Sequence, residues 1–163
     1  MILSPVVIHD AVNYMLTPND LIAALVTAYE HLRPGGLVIT FAEEWKEHYI
    51  QNRVKGFTSE KDGTAITFIE NCHDADPDDS VYESVFIYII RREGKTEIEY
   101  DRHVFGIFPL AFWPEALRAA GFEVVETEDL VHTDFGENED YPMFAGIKPC
   151  IGMRNLYKKS ILI

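Results

Sequence analysis

Cysteine is scarce in this chain of 163 residues: Cys72 and Cys150 are the only two, and no CxxC pair exists. Neither a disulfide framework nor a structural zinc site is indicated, and a reduced, cytoplasmic setting is expected. Positive charge is also scarce, with 14 Lys and Arg against 27 Asp and Glu, a formal net charge of −13. Such a surface repels phosphate backbones and anionic lipid headgroups, which argues against nucleic acid and membrane as partners. No run approaches the ~20 apolar residues that span a bilayer. The opening stretch MILSPVVIHD has no basic flank and too short an apolar run for a leader, so a soluble protein is expected. No serine or cysteine stands in a GxSxG nucleophile motif, which removes support for covalent hydrolase chemistry. A GxGxG loop is missing too. The glycines, at 35, 36, 56, 63, 94, 106, 121, 136, 146 and 152, are spaced too widely to build the amide cradle that carries a nucleotide cofactor in many α/β folds.

What remains is the composition and pattern of one globular domain, 47% apolar, of a length that at roughly 100 to 200 residues per domain supports a single core. Residues 5–9 (PVVIH) read as a short parallel strand that ends at the polar pair His9 and Asp10. Thr17, Pro18 and Asp20 then signal a helix start: a hydroxyl at the N-cap, proline in the first turn and a carboxylate three residues after the cap. Leu21, Leu25 and Leu32, with Ile22, Val26 and Tyr29 beside them, recur at helical spacing and form one apolar face. Pro34 cannot continue the helix, Gly35 and Gly36 supply an αβ turn, and residues 37–42 (LVITFA) follow as a second buried strand. The unit is strand, helix, parallel strand.

Between 43 and 63 the pattern weakens, and a short helix or a mobile segment is expected. From 64 to 106 the period falls to about two, giving three β-rich runs, 64–71, 80–91 and 95–105, expected to form an antiparallel meander. Pro114 opens a second helix with Leu117 and Ala120 on one face, and Gly121 closes it before a strand at 122–127. Glu128 and Asp129 begin the exit loop. An acidic connection over 132–142 leads to a last strand at 143–148, and the tail from 150 to 163 has no clear period.

Laid side by side, LRPGGLVIT and HVFGIFPLAFWPEALRAAGFEVVE resemble the C-terminal half of class I S-adenosylmethionine-dependent methyltransferases, over residues 6 to 148. The likeness is to the small-molecule members related to glycine and amino-sugar N-methyltransferases, which insert antiparallel strands after the strand that follows the PGG turn. The resemblance implies a partial Rossmann-like methyltransferase sheet, strands four to seven with the last antiparallel, and an inserted β-meander at about 64–106. Residues 1–149 are then the C-terminal part of the domain, and 150–163 a tail. It implies S-adenosylmethionine as cofactor and a small-molecule acceptor. The first three strands, the glycine loop and the acidic ribose-binding residue of that family are absent from the sequence. The chain is therefore either the truncated partner of a missing N-terminal half or a module that associates, for example as a homodimer, through its open first strand. Alone, it is not expected to be catalytically competent.

Candidate site residues carry two readings each. His9, Asp10 and Asn13 follow the carboxyl end of the first strand, where open α/β sheets bind ligands and where the resemblance implies the methyl-donor site; the plainer alternative is a solvated strand-end loop. Tyr14 follows them, as a candidate for substrate contact. The resemblance places His103 in an HxxGLF-like segment, as a group that accepts or orients a proton of the acceptor; the plainer alternative, favoured on the residues alone, is a cross-strand partner near Glu97, Glu99 and Asp101. Phe105, Phe108 and Trp113 are candidate walls of a substrate pocket, with core packing as the ordinary role of aromatics at such a junction. Asp74, Asp76, Asp78 and Asp79 lack the glycine and closing glutamate of a calcium loop, so a solvated hairpin connection is expected and no metal.

Overall fold

The computed structural model describes residues 5–125, 130–132 and 139–150. The expected exit loop at Glu128 and Asp129, the end of the 122–127 strand, part of the acidic connection and the tail after 150 lie outside the described residues.

Strand β1 (Val6–Ile8) leads through a 3-10 helix (Asp10–Tyr14) to helix α1 (Pro18–His31), then to β2 (Leu37–Phe41). The helix begins where the sequence places it because Thr17 and Asp20 form a reciprocal capping box. The Thr17 side chain accepts from the Asp20 amide at 3.2 Å, and the Asp20 carboxylate accepts from the Thr17 amide at 3.1 Å. Leu21, Leu25 and Ala28 form its buried face. It ends at the PGG turn, where Gly35 adopts φ 80°. A Cβ on Gly36 would meet the Arg33 carbonyl at 2.8 Å, so only glycine fits there. Lys148 then ties off the helix end, its Nζ donating to the carbonyls of Tyr29 and Leu32 at 2.6 and 2.8 Å. A cation at that position also suits the negative end of the helix dipole.

β1 and β2 pair in parallel, Val6 opposite Val38. The main sheet is completed by β10 (Met143–Ile147), antiparallel to β2, and by β7 (Glu123–Val125), in the order β1-β2-β10-β7. Helix α2 (Phe112–Ala119) and α1 pack with this sheet around a core that includes Leu21, Leu25, Val38, Phe108, Trp113, Leu117 and Phe122. Its interior is close-packed: Gly146 lies against the Phe122 side chain, which leaves no room for a Cβ. Between β7 and β10 a short hairpin pairs β8 (Leu130–His132) with β9 (Glu139–Tyr141).

The second sheet is antiparallel and has four strands, β3 (Val54–Lys61), β4 (Thr64–His73), β5 (Val81–Arg92) and β6 (Lys95–Gly106), in sequential order. The expectation of a short helix or mobile segment over 43–63 is therefore corrected: its second half is a strand, and the sheet begins at Val54 rather than at 64. The physical reason is position. β3 is an edge strand with nearly every side chain exposed, so its backbone pairing leaves no apolar alternation to read. Its hairpin to β4 turns at Asp62-Gly63 and the next but one at Glu93-Gly94. Both pairs have positive φ (51° and 74°, 54° and 72°), the requirement of a tight two-residue hairpin turn.

Candidate functional site

The carboxyl ends of β1 and β2 open toward the base of the second sheet, and two polar clusters form there. The first is centred on Glu43, just past β2. Its carboxylate accepts from Asn13 Nδ2 at 2.9 Å and lies 3.3 Å from His9 Nδ1, while the His9 ring packs on Phe41 with centroids 5.1 Å apart. His9 and Asn13 are thus brought together by a residue that sequence reasoning missed. Asp10 opens the 3-10 helix between them, and its side chain lies outside the described atoms.

The second cluster joins the two sheets. Tyr14, at the end of the 3-10 helix, has its hydroxyl 2.8 Å from His103 Nδ1 on β6. His103 Nε2 lies 3.4 Å from the Asp101 carboxylate, two residues away on the same face of β6. A carboxylate only accepts, which favours the Nε2–H tautomer of a neutral His103; in that tautomer Nδ1 accepts from the Tyr14 hydroxyl. Phe105 lies parallel to His103 at 5.6 Å, and edge-on to Tyr14 at 4.9 Å. Gly106 lets this strand come so near the chain that a Cβ there would overlap the Met15 carbonyl oxygen. The expectation of a cross-strand acidic partner for His103 is not met: the residue opposite it on β5 is Ser84, Asp101 lies on its own strand, and its closest polar partner comes from a different element.

Beneath these clusters is a small second core of Cys72, Tyr82, Phe105 and Ile107. Beside it the buried Glu44 carboxylate pairs with the partly buried Arg53 guanidinium. Glu70 accepts from the Ser84 hydroxyl at 2.7 Å next to the Cys72 thiol. Burial, aided by the Glu70 charge, pushes the Cys72 thiol up to about 11, which keeps it neutral and unreactive near pH 7. Burial also raises the Tyr49 and Tyr82 phenols well above their ordinary value.

Phe108 and Trp113 are not at the opening. Each is 2% exposed, and both belong to the main core, where the Trp113 ring stacks on Phe144 at 5.6 Å. Of the candidate aromatics, Tyr14 and Phe105 are the two that touch His103. The acidic loop satisfies itself: the Asp74, Asp76 and Asp79 carboxylates accept from the amides of Asp76, Asp78 and Val81. Among the described residues no cluster of three or more His, Cys, Asp or Glu has a metal-binding arrangement, and no helix is long and apolar enough to cross a membrane.

The described residues do not by themselves fit S-adenosylmethionine. His9, Asn13 and Glu43 offer one polar wall at the strand ends. The glycines, however, serve turns or close packing elsewhere: Gly35 and Gly36 sit at the opposite, amino end of β2, Gly63 and Gly94 in hairpin turns, Gly106 and Gly146 against neighbouring atoms. None of these described glycines forms an amide cradle.

No protein-family model matches this sequence, and no curated protein matches it. Solved structures do. DesVI of Streptomyces venezuelae superposes with a TM-score of 0.72 at 24% identity, covering 90% of this chain and 58% of its own. CalS10, an amino pentose methyltransferase of Micromonospora echinaspora solved with S-adenosylmethionine bound, gives 0.70 at 18% identity, covering 88% and 57%. The sugar N-methyltransferase KedS8 of Streptoalloteichus sp ATCC 53650 gives 0.66 at 17%, covering 92% and 59%. The fold is thus the class I methyltransferase-like fold in part, with its antiparallel sheet, and the chain spans less than three-fifths of the length of these solved structures.

Proposed function

We propose that this chain is the acceptor-side portion of a cytoplasmic S-adenosylmethionine-dependent methyltransferase acting on a small molecule, with an amino sugar as the first class to test. One observation carries the reading: the inserted sheet delivers His103 to Tyr14 at the carboxyl end of β1. That end is the ligand side of open α/β sheets. When bound, the sulfonium cofactor supplies an activated methyl group, and the protein's task is alignment. In this reading Tyr14 and His103 hold or relay a proton of the acceptor amine or hydroxyl, Phe105 walls the pocket, and His9, Asn13 and Glu43 border the donor. The glycine-rich loop is supplied by polypeptide outside these residues, and the chain alone is inactive. The test is a calorimetric titration with S-adenosylhomocysteine of the product of the whole reading frame, including any coding sequence before Met1. Saturable binding is expected there and not for residues 1–163 alone; no detectable binding by the longer product overturns the reading.

A second reading, a non-catalytic α/β module, has one observation in its favour. The edge of β1 away from β2 faces no strand among the described residues, and Val7 is 57% exposed. An open edge of this kind is a template for pairing, with a second copy or with the rest of a larger sheet. Light scattering that shows a stable monomer at micromolar concentration sinks the version in which two copies pair.

A further inference from the structure

The main sheet is apolar on both faces, and the two helices cover one of them. Val6, Val38, Gly146 and Val124 form a row on the helix side, with Val38 in the main core and Gly146 against Phe122. The pleat sends the adjoining rows to the other side: Val7, Ile39, Ala145 and Val125, then Leu37 and Ile147 with Glu123 at the rim. These six apolar residues belong to neither core cluster, and Val7 is 57% and Ile147 37% exposed. A sheet left open to water on one side alternates apolar with polar residues, whereas one that is apolar on both sides is buried on both. Among the described residues neither α1 nor α2 packs on this second face.

We propose that the chain's own residues 151–163, which lie outside the described residues, cover this face. Three observations select that occupant. The first is the point of departure. Lys148 is held beside the PGG turn, its carbonyl accepting from the Gly35 amide at 2.7 Å and its amide donating to the Gly36 carbonyl at 2.8 Å. The chain therefore leaves the sheet at the end where Leu37, Ile147 and Glu123 stand. The second is reach. Thirteen residues span about 20 Å even at the helical rise of about 1.5 Å per residue, and more when extended. The five-residue strands β2 and β10 are roughly 17 Å long. The third is composition. Seven of the thirteen residues in IGMRNLYKKSILI are apolar, none is acidic, and Arg154, Lys158 and Lys159 are basic. The other 150 residues carry 11 Lys and Arg against 27 Asp and Glu, so the segment is attracted to the body of the chain, with Glu123 at the rim of the face. A second copy would oppose two such acidic bodies. A tethered segment, moreover, meets the face at an effective concentration of about millimolar, ahead of any copy at micromolar concentration. The inference is independent of the proposed activity, and its test uses residues 1–163, for which no donor binding is expected, so the two fail separately.

Paramagnetic relaxation in NMR tests it. In a chain carrying Cys150→Ser and Ser160→Cys, the remaining thiol, Cys72, is buried and takes up no label. A nitroxide at position 160 should broaden the Val7, Ile39 and Ile147 methyl signals more than those of Leu21 and Leu25, which lie across the sheet on α1. Removal of residues 151–163 should raise the fluorescence of added anilinonaphthalene sulfonate at least about threefold, with the circular dichroism spectrum otherwise that of the same fold. Ile161→Asp with Leu162→Asp should do the same in the 163-residue chain, which guards against a truncation that fails to fold. Broadening no stronger at Val7, Ile39 and Ile147 than on α1 overturns the proposal, as does dye fluorescence that neither change moves. So does broadening that passes from a nitroxide-bearing chain to an isotope-labelled chain without nitroxide in a mixed sample, because a second copy would then supply the cover.

Discussion

Tyr14 and His103 are 89 residues apart in sequence, and the Tyr14 hydroxyl lies 2.8 Å from His103 Nδ1. This bond links the loop after β1 to the inserted sheet, beside the Ser80 hydroxyl, which donates to the Leu16 carbonyl at 2.7 Å. Because Asp101 can only accept at Nε2, the neutral imidazole should be the Nε2–H tautomer. Long-range proton–nitrogen NMR reads this directly. Tyr14→Phe should reduce the preference for that tautomer and cost about 0.5–1.5 kcal/mol of stability; a dominant Nδ1–H form in the unsubstituted chain would reverse the bond, with His103 donating to the Tyr14 hydroxyl oxygen.

The buried pair of Glu44 and Arg53 gives a sharper stability prediction. Removing one partner leaves an uncompensated buried charge, so Arg53→Met should destabilise by about 3–5 kcal/mol in denaturant unfolding. The double variant Glu44→Gln with Arg53→Met should recover much of that loss. Equal and additive losses from the two changes would mean that the pair is not coupled.

Stability should fall in alkaline solution. Cys72 carries a folded-state value of about 11 against an ordinary 9.0, so the folded chain holds this proton more tightly than the unfolded one. The stabilisation is fully present below pH 9 and is lost as pH rises through 11, with Tyr49 and Tyr82 acting in the same direction at higher pH. Thermal unfolding followed from pH 8 to 11 should show the decline, and Cys72→Ala should flatten its lower part. A melting temperature that holds steady to pH 11 would contradict the buried, neutral thiol.

The capping box of α1 is a local test. Thr17→Ala removes the acceptor for the Asp20 amide and should cost about 1 kcal/mol. Gly106→Ala should cost more, because its new methyl group would overlap Met15 and pry the inserted sheet from the loop after β1. Comparable, negligible losses for the two would indicate that the junction is loose.

Much of the main sheet was legible because its signals are local. Thr17, Asp20, Pro34, Gly35 and Gly36 each fix backbone geometry within a few residues, and the apolar face of α1 repeats at the helical period. β3 was not legible, since an exposed edge strand is specified by its neighbour's backbone rather than by its own side chains. Glu44 and Arg53 carry no local signal of their pairing, which arises only because chain segments nine positions apart fold onto each other. Glu43 had one available signal, its place immediately after a buried strand, but its partners His9 and Asn13 come from the other side of a crossover. Phe108 and Trp113 lie in the core, the ordinary role for aromatics at a strand-to-helix junction.

The central claim is that the ends of β1 and β2 border a methyl-donor site completed by polypeptide outside these residues. Amide NMR of the product of the whole reading frame, titrated with S-adenosylhomocysteine, tests it most directly. Saturable shifts are expected at residues 9–14 and at Glu43, with α2 unaffected and with none of these shifts in residues 1–163 alone. Binding that leaves residues 9–14 unmoved, or no binding at all, would contradict it.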